Sequence, residues 1–123
     1  MSRPRVRLLN RTRGAVLALR VERAERVLDR LRGLLGRASL EEGEALAIAP
    51  CASIHTFFMK FPIDAVFLDR RGRVVRAVPD LTPWRATRFH LRADLAVELP
   101  AGTLARTGTR EGDELAFEPD ALV

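Results

Sequence analysis

Between Pro50 and Trp84 the chain gathers its only cysteine (Cys51), one of two histidines (His55), its only lysine (Lys60), Asp64 and its only tryptophan (Trp84). Three kinds of chemistry are open to such a set. Cys51 or His55 working with Asp64 would make a nucleophilic hydrolase or transferase. A Cys51–His55 pair needs the chain to fold back between them, which Pro50, Ala52 and Ser53 permit. No complete set of nucleophile, base and orienting group follows from the spacing. A metal site would draw on Cys51, His55, Asp64 and His90. One cysteine and two histidines barely meet the three or four ligands zinc takes, and their spacing is not a recurrent one. Neither a metal nor a cofactor is therefore expected. The third option is a pocket, because polar groups that converge on an apolar segment such as Phe57, Phe58, Met59 and Phe61 are how ligand sites are built.

Each candidate also has a plainer role. If residues 54–61 are extended, His55, Phe57, Met59 and Phe61 share one face, and Ile54, Thr56, Phe58 and Lys60 the other. Both faces are largely apolar, which predicts a central strand covered on both sides. His55 then lies on the more apolar face as a buried, neutral, hydrogen-bonded histidine. A lone cysteine is ordinarily a small buried hydrophobe. Asp64 lies opposite Ile63, Ala65 and Phe67, beside Val66 and Leu68, and needs a partner: Arg85, Lys60 or a backbone amide would serve. Trp84, between Pro83 and Arg85, offers a face for stacking a sugar, base or cation. It would equally anchor a long connection onto the core. The turn at Gly108 and Gly112-Asp113 is not a phosphate-binding pattern, since it lacks a lysine and a following helix.

The elements that must position these residues are mostly strands. Val6–Leu9 and Ala15–Val21 read as a hairpin joined by the turn Asn10–Gly14. Val27, Leu28, Leu31, Leu34 and Leu35 then mark one face of a helix, with Glu22 and Arg26 as a favourable i,i+4 pair and Gly36 as its C-cap. Residues 37–45 read as a loop or short turn. Leu46–Ala49 is a strand stopped by Pro50, and His55–Phe61 a second. Ile63–Asp69 and Val74–Val78 form a hairpin around Asp69-Arg70-Arg71-Gly72. Pro79–Arg92 reads as a connection. Leu95, Val97 and Leu99 alternate with Asp94, Ala96 and Glu98, as in a half-buried strand. Gly102–Thr107 suggests one helical turn, and Glu114–Phe117 a last strand. The fold class is mainly β (α+β): a small barrel or strongly curved sheet of about seven short strands, with one amphipathic helix covering an opening.

A chain of 123 residues reads as a single domain over 1–123 and is long enough to bury roughly 65% of its unfolded surface. With 47% apolar residues it is globular rather than disordered. No run approaches the ~18 apolar residues of a membrane helix. The absence of a secretory pattern at Met1–Arg13, together with one cysteine, points to the cytoplasm. On that reading the glycosylation triplet Asn10-Arg11-Thr12 is a chance match. The net charge of +5 is uneven. Residues 1–40 hold eleven arginines against Glu22, Glu25 and Asp29, whereas residues 41–123 hold ten basic against thirteen acidic groups. A basic stretch confined to the first third is more simply a solvated face than a nucleic-acid surface.

The strings IHTFFMKFPIDAVFLD, RGRVVRAVPDLTPWR, AVELPAG and GTREGDELAF, with RLRGLLGR before them, resemble the family called domain of unknown function 192. The likeness runs over about residues 14–118. It implies a compact, mostly β protein of a kind found in bacteria and archaea, with no established activity. The family's characteristic residues fall here on Cys51, His55, Thr56, Phe57, Phe58, Met59, Phe61, Pro62, Asp64, Trp84, Glu98, Leu99, Pro100, Gly102, Gly112 and Asp113. The resemblance also implies a second cysteine shortly before the ELPAG strand in many members, and export for many of them. Here His90 stands near that second-cysteine position, so no two-cysteine mechanism is open to this chain.

The reading that follows is a non-enzymatic module whose pocket is made by Cys51, His55, Thr56, Phe58, Lys60, Asp64, Trp84 and Arg85, receiving a small polar ligand or a peptide. The alternatives are the hydrolase or transferase above, and an adaptor that binds nucleic acid or protein through the basic first third.

Overall fold

The computed structural model describes residues 5–24, 39–56 and 59–119. These contain β1 (Val6–Asn10), β2 (Ala15–Ala18), β3 (Arg20–Ala24), β4 (Glu44–Ile48), β5 (Ile63–Leu68), β6 (Val74–Leu81), β7 (Leu95–Pro100), α1 (Thr103–Thr107) and β8 (Leu115–Pro119). Mainly β is right, but the expected barrel is not formed. The strands make two sheets, of order β2-β1-β8 and β3-β4-β7-β5-β6. The reason lies at Leu19. The single strand expected over Ala15–Val21 is broken there: residues before it pair with β1, and residues after it run parallel to β4. The chain thus steps from one sheet to the other, and both sheets keep open edges. Glu22, expected in a helix, belongs to β3. The rest of that expected covering helix lies outside the described residues.

The two sheets pack face to face. Leu8, Leu17 and Leu115 of the small sheet meet Val66, Val97 and Leu99 of the large one. The far face of the large sheet is covered as well, where Ile54 and Met59 lie on Ile63, Ala65, Phe67 and Ala96. This double cover explains why β5 is buried at every position, a pattern that alternation cannot reveal. It also corrects the half-buried reading of β7, in which Ala96, Val97, Glu98 and Leu99 are all buried. Among the described residues no helix is long and apolar enough to cross a membrane.

Turn chemistry ties the sheets together. Asp69 Oδ1 accepts bonds from the amides of Arg71 (2.9 Å) and Arg73 (3.0 Å), which shapes the β5–β6 turn. Gly72, at φ 82°, then accepts a bond from the Leu115 amide (2.8 Å) of the small sheet. A buried polar cluster secures the opposite side of that joint. Asp113 Oδ2 accepts from Asn10 Nδ2 (2.9 Å) and Arg13 Nε (2.7 Å). Burial alone would raise the Asp113 pKa, but bonds from Arg13, Asn10 and the Arg110 amide outweigh it and hold the carboxyl below its ordinary value.

Candidate functional site

The extended strand expected over His55–Phe61 is not present in the described part of that segment. His55 makes one isolated bridge, with Ala86. Residues 51–56 instead run alongside residues 85–94 and are stitched to them. The Thr87 amide donates to Ile54 O (2.9 Å), the His90 amide to Ala52 O (2.8 Å), and the Cys51 amide to Asp94 O (3.3 Å). These two irregular segments form a cover across the large sheet, with Ile54 and Met59 turned down into its core.

Thr56 is the node of this cover. It is fully buried, donates from Oγ1 to Thr82 O (2.6 Å) and accepts there from the Arg85 amide (2.9 Å). Its carbonyl accepts from the Trp84 amide (3.0 Å). These bonds hold Trp84 at φ 66°, a costly conformation for a bulky residue, while its side chain stays 59% exposed. His55, Lys60 and Arg85 are exposed too. The buried, core-facing His55 expected from alternation is therefore wrong: with no regular strand at 55–61, period-two reasoning does not apply. The structure brings His55, Thr56, Trp84 and Arg85 together through the backbone. Phe58 lies outside the described residues.

Asp64 stands apart from that group. Its neighbour across β7 is Leu99, in the core between the sheets, on the face turned away from the cover. Oδ1 accepts from the Asp80 amide (2.9 Å) and Oδ2 from the Leu104 amide (2.8 Å). The first bond fixes an irregularity in β6, where Asp80 has φ 50°, and the second ties down the start of α1. Of the partners considered for this aspartate, the backbone amides are the ones it has.

Cys51, at the start of the cover, is half-buried, and its Sγ donates to Ser53 O (3.0 Å). Burial raises its thiol pKa, and the charge of Glu98 adds to the rise. A thiol held protonated is a poor nucleophile. Glu98 itself is 3% exposed, and its Oε2 has no hydrogen-bond partner among the described residues. It faces the cover in a row with Leu46 and Ala65, and burial pushes its pKa up to about 7. Sequence reasoning left Glu98 out of the site because alternation placed it toward solvent. Its place among the residues that carry the family resemblance was the one signal for it. Among the described residues no three His, Cys, Asp or Glu side chains converge so as to hold a metal ion.

Beside the bridge at His55 and Ala86 lies a cleft of about 480 Å³ between β6 and residues 86–90. Val78, Leu81, Ala86 and Phe89 give it apolar walls, and Arg76, Arg88 and His90 bring charge and polarity. The His90 ring lies 4.5 Å from the Phe67 ring, and its Nε2 is buried without a hydrogen-bond partner among the described residues. No local sequence signal marks Arg76 and Arg88, which only the topology brings together.

A family model described as uncharacterized ACR, the domain of unknown function 192, matches residues 8–117, and the chain belongs to that family. A UPF0127 protein of Thermococcus sibiricus is 34% identical over 119 residues, covering 90% of this chain and 74% of the relative. A UPF0127 protein of Thermococcus gammatolerans is 30% identical over 116 residues, with the same two coverages of 90% and 74%. These sequence relatives are archaeal rather than bacterial. A crystal structure of a protein of unknown function from Novosphingobium aromaticivorans superposes with a TM-score of 0.77 at 21% identity, covering 90% of this chain and 82% of that one. A crystal structure described as that of a putative transcription regulator from Sinorhizobium meliloti gives 0.77 at 23%, covering 94% of both chains. At such identities the likeness is one of fold.

Proposed function

We propose that the protein is a non-enzymatic binding module for a small polar ligand or a peptide, received on the outer surface of the cover formed by residues 51–56 and 85–94, with Trp84 immediately before the second segment. The observation that carries this reading is Trp84. A tryptophan held in a left-handed backbone conformation, its own amide and that of Arg85 both donating to one buried threonine, yet exposed, is strain retained to present an aromatic face. His55 and Arg85 supply polar groups beside it. The enzymatic alternative has less support, because the Cys51 thiol is held protonated and Asp64 is taken up by backbone amides on the other face.

Trp84 is the chain's only tryptophan, so its fluorescence reports on this surface directly. Titration with a broad panel of metabolites and peptides should give a saturable change with at least one member, and Trp84→Ala should weaken that binding at least tenfold when followed calorimetrically. Native mass compared with denatured mass should show whether a ligand is retained on purification. A panel without any saturable response, in a protein that purifies without an adduct, would falsify the reading.

A further inference from the structure

We infer that the cleft between β6 and residues 86–90 receives a small organic anion, a carboxylate or phosphate monoester carried on a short apolar body. This deepens the binding-module reading and rests on it. The cleft's volume of about 480 Å³ falls within the few-hundred to thousand Å³ range of ligand sites. Its walls divide into two chemistries. Val78 and Leu81 of β6, Ala86 and the 76% exposed Phe89 would cover an apolar body. Arg76, Arg88 and His90 meet in the same cleft.

The positive charge there, on Arg76 and Arg88, is in excess over the one carboxylate that meets it, Glu111. Arg76 donates directly to Glu111 at 3.2 Å, but the pair is half-exposed and worth little. Among the described residues no carboxylate pairs with Arg88. His90 Nε2 is buried and has no hydrogen-bond partner among the described residues, which leaves a polar group unmet next to the cleft. Arg76 and Arg88 supply the forked donors that take an anion, and the His90 ring lines the cleft beside them. The His90 pKa agrees with this field: burial lowers it first, Arg76 and Arg88 lower it further, and Glu111 acts the other way. An anion seated among these groups would raise it.

The test is a titration of the ¹⁵N-labelled full chain at low ionic strength with benzoate and phenyl phosphate, against benzamide and benzylamine as neutral and cationic bodies of similar shape. The anions should shift the amides of residues 76–81 and 86–90 saturably, at least tenfold more tightly than benzamide, with no response to benzylamine. The ring protons of His90 should titrate at higher pH in the anion complex. Arg88→Ala and the charge reversal Arg88→Glu, at an exposed position where folding should be undisturbed, should weaken the anions tenfold or more. Benzamide binding as tightly as benzoate, anions that shift nothing in the cleft, or binding untouched in both Arg88 variants would each overturn the assignment. If the anions fail here while other compounds change Trp84 fluorescence, the module stands and only the ligand class is wrong. If both fail, the module falls with it.

Discussion

At the scale of single residues, the site divides into groups that face solvent and groups consumed by the fold. Asp64 belongs to the second kind, and its two oxygens are both in use. Asp64→Ala leaves the Leu104 and Asp80 amides without their acceptor, and an unsatisfied buried donor costs ~1–3 kcal/mol. Urea unfolding should show a loss of about 2–4 kcal/mol for the alanine variant and roughly half that for Asp64→Asn, which keeps one acceptor. A loss under about 0.5 kcal/mol would show that water replaces the carboxylate easily. The sequence marked this aspartate by its apolar neighbours and named backbone amides among its partners, because a charge in such company must be paired. It could not separate Asp64 from His55, since their distance across a sheet depends on topology. Trp84 was legible as an anchor or a stacking face. Its left-handed backbone was not, because no glycine or asparagine announces it.

At the scale of elements, the joint between the β5–β6 turn and β8 holds the two sheets in register. A Cβ on Gly72 would lie 2.3 Å from Leu115 O, a backbone atom that cannot move without breaking the small sheet. Gly72→Ala therefore meets a clash on top of a positive-φ penalty and should destabilise by at least about 2 kcal/mol. Gly102 provides the control. Its φ of 94° is similar, but a Cβ there would meet nothing within 4 Å, so Gly102→Ala should cost only about 1 kcal/mol. Thermal melts that rank the two equally would remove the clash as the cause. The hairpin β5–β6, the turn at Gly72, β1 and the final strand were all legible, because turn residues and alternation act locally. The break at Leu19, the parallel pairing of β3 and β4 and the two-sheet architecture were not. Those depend on which strand each edge meets, and a short apolar run such as Ala15–Val21 carries no mark of where it changes sheets.

At the scale of the whole molecule, the placement of charge sets how stability follows pH. Glu98 sits near the middle of the large sheet, and burial raises its pKa from 4.5 to about 7. The folded chain therefore keeps a proton that the unfolded chain releases. The stabilisation from Glu98 is complete below about pH 4.5 and is lost as pH rises through about 7, which amounts to about 3 kcal/mol. Asp113 acts in the opposite sense: its depressed pKa gives stability that is present above 3.8 and lost as acid protonates the folded carboxylate. His90, lowered from 6.5 chiefly by burial, also favours the neutral side, so the total profile blends opposing slopes. The contribution of Glu98 is isolated by difference. The unfolding free energy of Glu98→Gln minus that of the natural chain should grow by about 3 kcal/mol between pH 4.5 and 7.5 and be flat on either side. Gln is the right replacement because it keeps the shape and cannot ionise. A constant offset across that range would mean that Glu98 finds a partner in solution, and it would move the carboxyl from a buried acid under the cover to an ordinary hydrogen-bonded carboxylate.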